Sequence, residues 1–135
     1  MCSSDLAVLL KFQQFMKEEF NDKDKSFLER HGRLVFLSFL TPILNGKGHS
    51  FKEAQTSEEK RLDIIATYGK NKYILELKRW YGESYHKKGI VQLADYLDIQ
   101  GVREGFLVIF EYNTTKSWHN EWIDHNGKRI FAVWV

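Results

Sequence analysis

Leu62-Asp63-Ile64-Ile65-Ala66-Thr67-Tyr68-Gly69-Lys70-Asn71-Lys72-Tyr73-Ile74-Leu75-Glu76-Leu77-Lys78 reads as two strands and a turn. Residues 62–68 and 72–77 are rich in β-branched, aromatic and aliphatic side chains, and Gly69-Lys70-Asn71 between them is a turn signal. Three charges break the apolar pattern. Asp63 interrupts Leu62-Ile64-Ile65, Glu76 interrupts Tyr73-Ile74-Leu75-Leu77, and Lys78 follows two residues on. A charge in a buried strand is costly unless it is paired or bound to a metal. Glu76 and Lys78 are two apart, so they share a sheet face. With a two-residue turn at Gly69-Lys70, Tyr68 opposes Asn71, and counting outward sets Asp63 opposite Glu76. Opposed residues have Cβ atoms roughly 4.5–5.5 Å apart. A three-residue turn would shift that register by one.

Two carboxylates at that distance repel unless a cation lies between them. Mg²⁺ takes oxygen ligands and is commonly held by one or two carboxylates with phosphate and water. A lysine on the same face could orient or deprotonate a water, or stabilise negative charge developing on phosphorus. The set is that of a phosphodiester hydrolysis site. The alternative is structural, with Asp63 and Glu76 in ordinary salt bridges to Arg61, Lys78 or Arg79.

Outward from this hairpin, Leu6 to Phe20 has helical spacing, and a second helix is expected from about Ser26 to Leu40, bent or ended by Pro42, with Asn45-Gly46 as its stop. Phe51 to Gln55 fits a short strand. A third helix spans roughly Ser84 to Ile99, with Ile90, Leu93, Ala94 and Leu97 as its core stripe and Lys88, Gln92 and Tyr96 as a polar line. Phe106 to Phe110 is a buried strand and Arg129 to Val135 a last one. The order helix, helix, strand, strand, strand, helix, strand, strand is α/β, a mixed β-sheet flanked by helices. The link from the Glu76 strand through the third helix to Phe106–Phe110 is expected to be a right-handed parallel crossover.

Asp63 with Ile74-Leu75-Glu76-Leu77-Lys78 resembles the signature of the PD-(D/E)XK nuclease superfamily, and Gln92-Leu93-Ala94-Asp95-Tyr96 looks like the Q-x-x-x-Y element of its RecB-type branch. The resemblance covers about residues 24 to 112. Phe27-Leu28-Glu29-Arg30-His31-Gly32-Arg33, Pro42-Ile43-Leu44-Asn45-Gly46 and Gln92 to Asp98 are similar, more closely, to the C-terminal nuclease domains of bacterial AAA-ATPase-like proteins. The resemblance implies a restriction-endonuclease-like core. It implies Asp63 and Glu76 as ligands of Mg²⁺ or Mn²⁺, Lys78 as the catalytic lysine, and Gln92 and Tyr96 as supports of the site. Glu53 or Glu29 is a candidate further ligand. Leu62 stands where the family often has proline. An ATPase, upstream or separate, is the implied partner. The expected division is an N-terminal helix at 1–23, a remnant of an upstream region, and a nuclease-like domain at 24–135. Cys2-Ser3-Ser4-Asp5-Leu6 matches the translation of a sequencing-library adapter, so the true chain is expected to extend upstream.

Bulk composition constrains these readings. At 135 residues, 43% hydrophobic and 28% charged, the chain is the size and kind of one globular domain. One cysteine excludes a disulfide framework and a cysteine-based zinc site. No apolar run is long enough to span a bilayer and no signal peptide is evident, so a cytoplasmic location is expected. The net charge of +2 does not announce a nucleic-acid binder, so DNA contact must rest on local placement of Lys72, Arg79, Lys87 and Lys88. Gly46-Lys47-Gly48-His49-Ser50 lacks the spacing of a Walker loop. His119 and His125 are expected in a surface loop, and Trp118, Trp122 and Trp134 as core caps. The expected activity is metal-dependent hydrolysis of phosphodiester bonds, in DNA first. The alternative is a catalytically silent nucleic-acid-binding or assembly domain of a larger ATPase protein.

Overall fold

A computed structural model describes residues 3–20, 24–46, 50–55, 61–68, 71–112 and 116–135. Its elements are α1 (Ser3–Glu19), α2 (Lys25–Gly46), β1 (Ser50–Gln55), β2 (Arg61–Tyr68), β3 (Asn71–Arg79), α3 (Glu83–Gln100), β4 (Glu104–Phe110), β5 (Asn120–His125) and β6 (Lys128–Trp134). The strands form one mixed sheet in the order β1-β2-β3-β4-β6-β5. β1, β2 and β3 are an antiparallel meander, β3–β4 and β4–β6 are parallel, and β5 returns antiparallel along β6. The expected mixed α/β sheet with flanking helices is present, and β3–α3–β4 is the expected parallel connection.

Alternation along each strand divides the core in two. On one face Leu75, Leu77, Phe106, Val108, Phe110, Phe131 and Val133 pack against Leu9, Phe12 and Met16 of α1 and Phe36 of α2. On the other, Ile74, Leu107, Ile109, Ile130 and Ala132 pack against Ile90, Leu93, Ala94 and Leu97 of α3, the stripe expected from spacing. Two glycines let helices sit close to the sheet. A Cβ on Gly32 of α2 would come within 2.9 Å of the Tyr112 hydroxyl, and one on Gly105 of β4 within 2.9 Å of Leu97 methyls. The α3 helix ends at Gly101, whose φ of 72° places it in the left-handed region, with its N–H directed to the carbonyls of Asp98 and Leu97.

Two expectations need correction. Pro42 does not end α2, which continues to Gly46, where the Asn45-Gly46 stop was expected. A proline removes one helical hydrogen bond and crowds the preceding turn, yet α2 stays helical past it. His125 lies in an edge strand, β5, rather than a surface loop, with His119 just before it. Asn126 (φ 48°) and Gly127 (φ 77°) make the two-residue turn into β6, the backbone that Asn-Gly favours in hairpins. The N-terminal helix α1 contributes Leu9, Phe12 and Met16 to the main core. Trp118 and Trp122 pack against that core and Trp134 is buried in the other, as the core-cap reading expects. Among the described residues no helix is long and apolar enough to cross a membrane.

A buried amide fastens α1 to the sheet. Gln13 Nε2 donates to the carbonyls of His119 at 2.9 Å and Trp134 at 3.0 Å, while Asn120 Nδ2 donates to Gln13 Oε1 at 3.2 Å. Gln13→Leu keeps the volume but removes all three bonds, leaving the His119 carbonyl only the Trp134 N–H. We expect a loss of about 1–3 kcal/mol in urea unfolding.

Candidate functional site

The β2–β3 register pairs Asp63 with Glu76 directly, with Tyr68 opposite Asn71, as a two-residue turn requires. Opposed positions lie on one face of an antiparallel pair. Glu76 is fully buried (0% exposed) and Lys78 nearly so (4%), both within the central strand β3. By alternation they share the face of Ile74, which α3 covers.

The α3 helix runs back along β3. Its end meets the start of the strand, where Lys72 Nζ donates to Gln100 Oε1 at 3.1 Å. Its beginning meets the end of the strand, where Lys78 Nζ lies over the Tyr85 ring, 4.6 Å from the centroid. A Cβ on Gly89 would overlap Lys78 Nζ and come within 3.0 Å of Lys78 Cε. Glycine inside a helix costs about 1 kcal/mol relative to alanine, so the position has a packing reason: it leaves room for the ammonium. Tyr85, Gly89, Gln92 and Tyr96 are spaced as one helical stripe. Gln92 and Tyr96 therefore continue from the lysine toward the Glu76 part of the strand. Gln92 is exposed, and Tyr96 is half-buried against the α3-side core.

Other expected residues fall elsewhere. Glu53 pairs with Ile64, whereas Ala54 pairs with Asp63, so strand alternation assigns Glu53 to the opposite face from the Asp63–Glu76 positions. Glu29 belongs to α2, the layer across the sheet from α3; the side chains of Asp63, Glu53 and Glu29 lie outside the described residues. Among the described residues no group of three or more His, Cys, Asp or Glu could hold a metal ion. The residues that would hold such an ion are the Asp63–Glu76 register pair, two carboxylates of the hard oxygen type that Mg²⁺ or Mn²⁺ takes. The four expected DNA-contacting cations do not form one patch. Lys72 is at the far end of β3 from Lys78, about 20 Å along a strand of that length. Arg79 is on the opposite face from Lys78, its guanidinium between the Tyr112 and Tyr81 rings at 4.8 Å and 5.3 Å. Lys87 and Lys88, exposed on α3, directly precede Gly89.

His86 was not legible as part of this region. It is buried, with its ring 5.3 Å from both Trp80 and Trp134, and its Nδ1 has no hydrogen-bond partner among the described residues. Burial, and secondarily the Lys78 charge, hold its pKa below the ordinary value of 6.5; Glu83 and Glu121 oppose them more weakly. Gly89 carries a sequence signal for this region, a lone glycine inside an otherwise helical pattern.

No protein-family model, no curated protein and no solved structure matches this chain.

Two outcomes follow from this geometry. Gly89→Ala displaces the end of a flexible side chain, so the fold should survive while the Lys78 ammonium moves. Lysine ¹³Cε NMR should show a shifted Lys78 signal with little change in urea midpoint. His86 is held neutral in the folded state, so the unfolded chain takes up its proton first as pH falls. Stability is therefore full above about pH 6.5 and declines from there down to the lowered native pKa. Between pH 7.5 and 5.5 the wild type should lose more unfolding free energy than His86→Phe.

Proposed function

We propose that this chain is a divalent-metal-dependent phosphodiesterase of the PD-(D/E)XK type, with a restriction-endonuclease-like core, acting on DNA. The observation that carries the reading is the pairing of Asp63 with Glu76 in the β2–β3 hairpin, with Lys78 buried two residues on. Two carboxylates set opposite each other, one of them out of water, repel, and a divalent cation between them would relieve that repulsion. The sheet order β1-β2-β3-β4, with an antiparallel hairpin leading into a parallel crossover, supports the same assignment.

In this reading Asp63 and Glu76 hold Mg²⁺ or Mn²⁺. Such an ion, when bound, neutralises phosphate charge and lowers the pKa of a coordinated water. Lys78 contributes the second positive charge. Its ammonium is clamped between the Tyr85 ring and the Gly89 backbone, so little reorganisation is needed to donate to a phosphate oxygen or an attacking water. In a site with little water that donation is stronger than at the surface. Gln92 offers an amide donor and acceptor further along the same helical stripe, and Tyr96 packs that stripe onto the sheet. Lys87 and Lys88 supply backbone contacts, which hold a nucleic acid without reading its sequence. An ATPase partner, upstream or separate, belongs to the same proposal through the Phe27–Arg33 and Gln92–Asp98 resemblances.

Supercoiled plasmid incubated with Mg²⁺ or Mn²⁺ tests the reading. Wild type should nick it, and folded Asp63→Ala and Lys78→Ala should be slower by on the order of 10²–10³ or more. Wild type that leaves plasmid, linear duplex and single strands intact with either ion contradicts the assignment.

A further inference from the structure

A line of aromatic and cationic contacts rounds the end of β3, and the hydrolytic chemistry uses only its last member. The Arg79 guanidinium lies over the Tyr112 ring and the Tyr81 ring. Tyr81 meets Tyr85 edge-on, with ring centroids 5.1 Å apart at 77°. Tyr85 in turn receives the Lys78 ammonium. Tyr112, Arg79, Tyr81, Tyr85 and Lys78 thus connect the α1–α2 face of the sheet to the buried lysine. Within this set Tyr81 is the exposed one, at 43%.

An exposed tyrosine held by Arg79 and Tyr85 has little side-chain freedom left to lose on binding. A nucleobase stacked on an aromatic ring contributes about 1–3 kcal/mol, and a guanidinium beside it attracts the adjoining phosphate. The faces of bases inside a duplex are already covered by their neighbours, so such a stack requires an unpaired nucleotide. Tyr81 is three residues past Lys78, at most about 10–11 Å of chain. A base resting on Tyr81 therefore belongs to a nucleotide only a few positions from a phosphate at Lys78.

We propose that Tyr81, backed by Arg79 and Tyr85, is a base-stacking platform, and that the proposed hydrolase prefers unpaired DNA: single strands, frayed duplex ends and the transiently open stretches of a supercoiled plasmid. The choice of reaction rests on the phosphodiesterase reading, but the platform can be tested by binding alone. Fluorescence anisotropy of a labelled oligothymidylate of about 15 nucleotides, with the full chain and no divalent ion, is compared with a blunt duplex of the same length. The wild type should bind the single strand more tightly. Tyr81→Ala should weaken that binding by about 5- to 150-fold, the stacking contribution expressed as an affinity ratio, and leave duplex binding unchanged. Tyr81→Phe keeps the ring and should retain wild-type affinity. Tighter binding to duplex, or equal losses on both ligands in Tyr81→Ala, overturns the platform. Plasmid nicking that persists beside either of those results leaves the hydrolase reading standing alone. Strand-selective, Tyr81-dependent binding without any cleavage leaves the platform and removes the hydrolase.

Discussion

Strand β3 takes a carboxylate and an ammonium out of water in the middle of a hydrophobic sheet, and the arrangement around it follows from accommodating them. Burying a charge costs several kcal/mol per ion unless partners compensate. Compensation for Lys78 is visible in the helix laid over it. The Tyr85 ring lies under the ammonium and Gly89 gives up its side chain for it. The register partner of Glu76 is a second acid, Asp63, which adds repulsion rather than relief. Lys78 shares the face of Glu76, and in the proposed reading a divalent ion joins it as counter-charge to the two carboxylates.

The two faces of the sheet divide the labour. The α1–α2 side is a phenylalanine-rich core of Phe12, Phe36, Phe106, Phe110 and Phe131, and it supplies the apolar burial that a polar site subtracts elsewhere. The α3 side carries the smaller aliphatic core together with the charges. Because α3 runs back along β3, one helix delivers Tyr85 and Gly89 to Lys78 and brings Gln92 and Tyr96 toward Glu76. Gly82, with φ 100°, takes a conformation that only glycine adopts easily and lets the chain turn from strand to helix directly beyond the site. The connection is therefore short, and the site and its covering helix form one unit.

The features legible in the sequence were those with a period or a steric rule behind them. The hairpin register followed from a two-residue turn, and with it the Asp63–Glu76 pairing. The α3 stripe of Ile90, Leu93, Ala94 and Leu97 followed from 3.6-residue spacing. What was missed depends on partners distant in the chain. A proline normally ends a helix, yet α2 passes Pro42. The Asn126-Gly127 turn is the exception, a local hairpin signal set among tryptophans and histidines. Strand alternation sets Arg79 and Glu53 on different faces from the residues they were grouped with, which counting along one strand could have shown for Arg79 but only the β1–β2 register shows for Glu53. The roles of Tyr85 and His86 depend on how α3 meets the ends of β3 and β6, and no local pattern encodes that.

The central claim is that the Asp63–Glu76 pair exists to hold a divalent cation. Mn²⁺ binding, followed by electron paramagnetic resonance of the free ion at fixed protein concentration, tests it without reference to any substrate. The account predicts a saturable Mn²⁺ site in the wild type that Mg²⁺ displaces and that folded Glu76→Gln and Asp63→Asn lack. A wild type that takes up no Mn²⁺, or variants that bind it as the wild type does, would contradict the account.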